Sequence, residues 1–243
     1  FREQSVRDGK DIRPIISNNG NFSKPTAGEP ALISYEEALT LFHEFGHALH
    51  GILTRCDYES LSGTNVPRDF VELGSQIMEN WAGDPEVLKM YARHYKTGEP
   101  IPDALLEKMQ KAKLFNQGFE TVEYLAASFL DMDWHTLAEA KELDAAAFDA
   151  AAMARIGLIP EIFSHIFSGG YSAGYYSYVW AEVLDSDAFQ AFKETSLFDR
   201  ATAGSFRRNI LERGGTEEPM TLYKRFRGRE PRIEALLKKR GLD

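Results

Sequence analysis

The segment His43-Glu44-Phe45-Gly46-His47 sets two imidazoles four residues apart, with a carboxylate beside the first. On an α-helix, residues i and i+4 share a face, so both rings can reach one ion. Glu44 then stands near a water held by that ion, where a general base is wanted. From the chain's own His and Glu frequencies, a chance match is roughly a one per cent event. The motif points to a zinc hydrolase; the alternative is a surface helix carrying two solvated histidines.

A catalytic zinc site of this type needs at least one further protein ligand and a position left for water. Glu72, in Asp69-Phe70-Val71-Glu72-Leu73-Gly74-Ser75-Gln76, is the leading candidate. Asp69 reads as an N-cap after Pro67, which places Glu72 in the first turn of a new helix that a hairpin can fold against the His43/His47 face. Two other readings stand beside it: Glu72 closing a capping box with Asp69, and Glu79 on the same face serving as the ligand.

The run His165-Ile-Phe-Ser-Gly169-Gly170-Tyr171-Ser-Ala-Gly-Tyr175-Tyr-Ser-Tyr178 is the second dense region. Gly169 and Gly170 permit a tight backbone able to approach a ligand closely. Tyr171, Tyr175 and Tyr178 fall at i, i+4 and i+7, one face if the segment is helical. Phenol and imidazole donors aimed at one spot can stabilise a developing oxyanion. The competing reading is an aromatic packing stripe beside a flexible turn.

These groups need a scaffold. Ser34-Tyr35-Glu36-Glu37 has the form of a capping box opening the helix that carries His43 and His47. Leu39, Phe42, Phe45, Ala48, Leu49 and Ile52 give that helix a wide apolar face. Gly46 costs about 1 kcal/mol in a helix interior relative to alanine, which marks close approach by another backbone or a bound peptide, or ordinary core packing. The spacing predicts helices near 35–54, 69–82, 85–96, 103–140, 144–156, 175–194, 199–213 and 230–240, with Asp103 as an N-cap. Ile12–Ile16 reads as a short strand and Ser17–Asn21 as a turn. The expected fold is mainly α, with a small β element near the N-terminus within residues 1–33 and helices over 34–243.

With 243 residues and 43% hydrophobic content, the chain can bury a real core. A net charge of −9 argues against nucleic acid as a partner, and nothing favours an anionic membrane. No apolar run approaches the ~18 residues needed to span a bilayer. No signal peptide opens the chain, and a start at Phe1 reads as a fragment or processed product, so the missing leader says little about export; the expected setting is cytoplasmic, with a periplasmic or exported parent left open. Cys56, the single cysteine, leaves no internal disulfide and no cysteine cage, and nothing nearby activates it as a nucleophile.

Taken together, HEFGHALHG at 43–51, SGTNVPRDFVEL and Ser75-Gln76 across 62–76, and HIFSGGYSAGYYSYVWAEVL at 165–184 resemble the M3 family of zinc metallopeptidases, the thimet oligopeptidase-like group. The similarity extends over the whole chain and is greatest to the peptidyl-dipeptidase branch. It implies a zincin-like, multi-helical catalytic region holding one Zn2+ through His43, His47 and Glu72, with Glu44 as general base and acid. It implies that His165 and Tyr178 stabilise the tetrahedral intermediate. Tyr171, and less directly Tyr175, Gly169 and Gly170, contact substrate. The implied substrates are short unstructured peptides, cut to release C-terminal dipeptides, with an endo-acting oligopeptidase as the alternative. Family members are much longer, so the resemblance also implies an absent N-terminal helical half as a partner of this region, and a zinc- and peptide-binding fragment inactive without that half is the further alternative. Two local departures stand out: Gly74 replaces a usual proline, and the stretch from Ile159 to His165 is shortened.

Overall fold

The computed structural model describes residues 1–158 and 164–242. The architecture is mainly α, with one two-stranded sheet near the N-terminus. The strands β1 (Ser5–Arg7) and β2 (Lys10–Ile12) pair antiparallel, with Val6 opposite Asp11. Asp8 and Gly9 both take positive φ, the two-residue turn whose twist suits a hairpin. The strand expected over Ile12–Ile16 is therefore displaced. Only Ile12 lies in β2, and Ile15 makes an isolated bridge to Arg2. Arg13 is drawn away because its guanidinium donates to Thr54 O (3.1 Å) and to Ile52 O, two carbonyls at the end of the first helix.

That helix, α1 (Tyr35–Leu53), opens on the capping box expected: Ser34 Oγ accepts from Glu37 N, and the Glu37 carboxylate accepts from Ser34 N. Where one helix was expected over 69–82 there are two, α2 (Arg68–Val71) and α3 (Leu73–Ala82), meeting at Glu72. The N-cap of α2 is Pro67 without a side-chain bond, so Asp69 is not a cap and forms no capping box with Glu72. Next come α4 (Pro85–Tyr91), α5 (Asp103–Lys113) and α6 (Gln117–His135). The single helix expected over 103–140 is broken at Asn116, whose left-handed backbone (φ 60°) is one that asparagine tolerates. Asp103 lies inside α5, whose N-cap is Pro102.

The remaining helices are α7 (Ala145–Ala154), α8 (Ser177–Glu194), α9 (Arg200–Phe206), α10 (Pro219–Arg227) and α11 (Glu234–Arg240). A π-turn follows α9 over Arg207–Leu211. Helix α10 was not expected from periodicity, although Pro219 at its start and a left-handed Gly228 just past its end are the usual punctuation. Residues 159–163, which hold most of the shortened stretch, lie outside the described residues.

Two apolar cores organise these elements. The larger joins Phe70, Leu73 and Ile77 to Leu184, Phe189 and Phe192 of α8 and to Phe206, Ile210, Leu222 and Tyr223. The smaller joins Ala126 and Leu130 of α6 to Ala152 and Met153 of α7 and to Ile166. Helix α1 lies along α3, and α3 against α8. A Cβ on Gly46 would fall 2.4 Å from Gly74 O and 2.6 Å from Ser75 Cα, so the glycine answers to a neighbouring backbone rather than to a bound peptide. Cys56 is buried, with its thiol against Leu61 O at 3.3 Å, which fits a packing role. Among the described residues, no helix is long and apolar enough to cross a membrane.

Candidate metal centre

Helix α1 presents His43 and His47 one turn apart, their rings 5.0 Å between centroids and nearly perpendicular. Both Nε2 atoms face Glu72 Oε2, at 3.4 Å from His43 and 3.2 Å from His47. One ligand atom from each of the three residues lies within 4.8 Å of the others, and no other such group of three is found among the described residues. The fit to a metal rests on this donor set. Two imidazole nitrogens and a carboxylate only 2% exposed converge on one point, as zinc's borderline chemistry prefers.

Glu72 reaches that point because it is the corner between α2 and α3, not a residue on a helix side. Its Oε2 accepts from Ser75 Oγ (2.8 Å), and its Oε1 accepts from Tyr171 Oη (2.6 Å). Burial would raise its pKa, but bonds to His43, His47 and Tyr171 prevail and hold the carboxyl far below the usual range. Glu79 is not placed with the three ligand atoms. Its Oε1 lies 2.7 Å from His43 Nδ1, on the far side of the ring from Glu72. This is the outer partner that fixes ring orientation in metal-binding histidines. Burial lowers the His43 pKa, yet the two flanking carboxylates outweigh it and raise the value to about 9.

Glu44 is half-buried on α1, three residues before His47, and its carboxylate takes no hydrogen bond or ion pair among the described residues. The aromatic cluster stands opposite. Tyr171 stacks on Tyr178 at 4.9 Å and 20°, the His165 ring lies 4.7 Å from Tyr171, and His165 Nε2 is 3.2 Å from Tyr178 Oη. Burial raises the Tyr178 pKa first, and the nearby Tyr171 hydroxyl and Glu72 carboxylate raise it further, so its proton stays available. Tyr171 is buried and its hydroxyl is taken by Glu72. Tyr175 packs between His165 and Tyr178.

The i, i+4, i+7 argument for the three tyrosines needs correction. The helix begins only at Ser177, and residues 172–176 are turns. The rings still converge because Gly169 (φ 71°) and Gly170 (φ 79°) fold the loop back.

Two further residues gave no sequence signal. Arg68 lays its guanidinium over the Tyr171 ring at 4.6 Å, and its Nη2 would lie 2.7 Å from a Cβ on Gly170. Asp131 of α6, fully buried, accepts from Ala173 N and Tyr175 N, each at 2.8 Å, and lies 2.8 Å from His135 Nδ1. It ties the aromatic loop to the smaller core. A polar residue on an amphipathic helix is ordinary, which is why the anchor was not legible.

A mainly helical fold, with His43, Glu44 and His47 on one helix and Glu72 at the next corner, presents a two-histidine, one-carboxylate set that could hold a metal ion. The chain belongs to peptidase family M3, whose sequence profile matches residues 3–242. It is 46% identical over 253 residues to the dipeptidyl carboxypeptidase of Escherichia coli strain K12, and 47% identical over 249 residues to oligopeptidase A of the same strain. It is also 34% identical over 239 residues to saccharolysin of Saccharomyces cerevisiae. These alignments cover 100%, 97% and 94% of the chain, yet it spans only 37%, 36% and 34% of the relatives' lengths.

Proposed function

We propose that this protein hydrolyses peptide bonds in short, unstructured peptides with one zinc ion held by His43, His47 and Glu72. The observation that carries the proposal is the convergence of both Nε2 atoms on the buried Glu72 carboxylate, with Glu44 uncommitted beside them. Bound zinc supplies Lewis-acid polarisation of the scissile carbonyl. Glu44 accepts a proton from the attacking water and returns it to the leaving amine. Tyr178 donates to the developing oxyanion, with His165 Nε2 in contact with its hydroxyl. Losing one such donor typically costs about 2.7–4 kcal/mol.

The finer reading is release of C-terminal dipeptides, supported by 46% identity to a dipeptidyl carboxypeptidase. Similarity of 47% to oligopeptidase A favours cleavage inside short peptides as the second reading. The deciding measurement is cleavage of a quenched fluorescent peptide, alongside zinc content, by the wild type and by Glu44→Gln. The variant is expected to keep zinc and lose turnover; a variant that still cleaves removes Glu44 from its role. Amidating the peptide's C-terminus separates the modes, since it suppresses dipeptide release far more than internal cleavage. Turnover seen only in a longer protein containing this sequence would make residues 1–243 a catalytic portion.

A further inference from the structure

Tyr171 stands between two opposite charges. Its hydroxyl donates to Glu72 Oε1 at 2.6 Å, and the Arg68 guanidinium lies over its ring with Cζ 4.6 Å from the centroid. Arg68 opens α2 and Glu72 closes it, so one short stretch of chain carries both a candidate metal ligand and this cation. A single phenol ring separates the two.

The aromatic loop holds the arginine on three sides. A Cβ on Gly170 would fall 2.7 Å from Nη2, a Cβ on Gly174 would fall 3.7 Å from Cγ, and the Tyr171 ring closes the third side. Its charge is nevertheless uncompensated: among the described residues Arg68 makes no hydrogen bond and no ion pair. The carboxylates nearest in sequence are turned elsewhere. Asp69 faces the Tyr176 hydroxyl, and Glu72 faces His43, His47 and Tyr171. Arg68 is also exposed, so an arriving group meets it without opening a core. Stacking occupies the flat face of a guanidinium. The N–H donors around its edge stay open, in the fork that grips a carboxylate through two parallel bonds.

We infer that Arg68 receives the free C-terminal carboxylate of a bound peptide, two residues beyond the bond placed at His43, His47 and Glu72. Two residues of extended chain span about 7 Å, the scale of one phenol ring with a contact at each end. The inference rests on the peptidase reading for the bond that is cut, but not for its test. It gives release of C-terminal dipeptides a cause within the chain. An amidated end offers the arginine no charge, and a longer stretch carries its carboxylate past the fork.

The test is NMR titration of the zinc-supplemented full chain with Nα-acetyl-alanyl-alanine and with its C-terminal amide. The free acid is expected to bind at least about tenfold tighter, since the charge-assisted pair is lost in the amide. Arg68→Gln should erase that preference and leave the amide's affinity in place, while Arg68→Lys, which keeps the charge without the fork, should retain part of it. Nα-acetyl-glutamyl-alaninamide carries its only carboxylate on a side chain and should bind like the plain amide. If it binds as tightly as the free acid, the assignment to a chain terminus is overturned. No measurable binding of the free acid, or a free-acid preference that survives Arg68→Gln, overturns the inference outright. So does an equal fall in both affinities, the result expected of an arginine that merely clamps the loop. A preference that depends on Arg68 in a protein that cuts no peptide upholds the carboxylate site and counts against the proposed hydrolysis. Cleavage alongside a preference indifferent to Arg68 does the reverse.

Discussion

The backbones at Gly46 and Gly74 meet so closely that a single added methyl at position 46 would sit 2.4 Å from Gly74 O. This contact joins the helix bearing His43 and His47 to the helix that starts beside Glu72. In a free helix, Gly46→Ala gains about 1 kcal/mol of propensity. Here overpacking against rigid backbone costs about 1–3 kcal/mol or more, and it wins. We expect Gly46→Ala to lower both the melting temperature and the zinc bound per chain. Unchanged values for both would show that α1 and α3 can separate freely.

Glu79 fixes the ring of His43 from behind. Glu79→Gln keeps its size and removes its charge, and should weaken zinc affinity about 10–100-fold, the usual effect of losing such an outer partner. Competition with a chromogenic chelator measures it, and an unaltered dissociation constant would leave the contact without consequence.

Asp131 is a positioning residue for the aromatic loop. Asp131→Ala removes the acceptor of the part-buried Ala173 and Tyr175 N–H groups, at about 1 kcal/mol each, and loosens the turn that leads into Tyr178. Displacements of about 1 Å can cost about a hundredfold in rate. The expected pattern is a fall in kcat with zinc content unchanged, partly restored by Asp131→Asn, which keeps an acceptor. A loss of zinc in step with activity would instead make the effect a general loosening of the fold.

His50 is fully buried on α1 with neither ring nitrogen bonded, and burial, aided by His47, lowers its pKa to about 4. The unfolded chain therefore binds a proton that the folded chain refuses between pH 6.5 and about 4. Because this pKa is depressed in the folded state, stability attributable to His50 is complete above pH 6.5 and is lost as pH falls toward 4. It is of order 3 kcal/mol. His50→Leu should flatten the acid limb of a stability profile across that window, and denaturant melts at several pH values will show whether it does.

The helix that brings His43 and His47 onto one face was the most legible part of the sequence, because i, i+4 spacing and a capping box are local signals. The choice between Glu72 and Glu79 was not legible. Both occupy plausible faces, and only the break between α2 and α3 aims one at the imidazoles and the other behind His43. The tyrosine cluster was found by composition, but its geometry arises from left-handed turns at Gly169 and Gly170 and not from helical spacing. Missed elements had signals that periodicity overlooks: Asp8-Gly9 for the hairpin, Asn116 for the break, and Pro219 with Gly228 for α10. Asp131 and Arg68 act through long-range contacts, and those have no local signature.

The aromatic loop packs on the smaller core through Ile166 and Tyr175, whereas Glu72 lies between Phe70 and Leu73 of the larger one, and the Tyr171 bond joins the two at Glu72. Natural variation should therefore be paired across this seam. A change in bulk at Met153 or Leu130 bears on the loop through Ile166 and Tyr175, and descendants that keep their chemistry should show answering changes around Leu73 or Leu184. Such covariation would be a historical imprint of a site whose two faces were never free to drift apart.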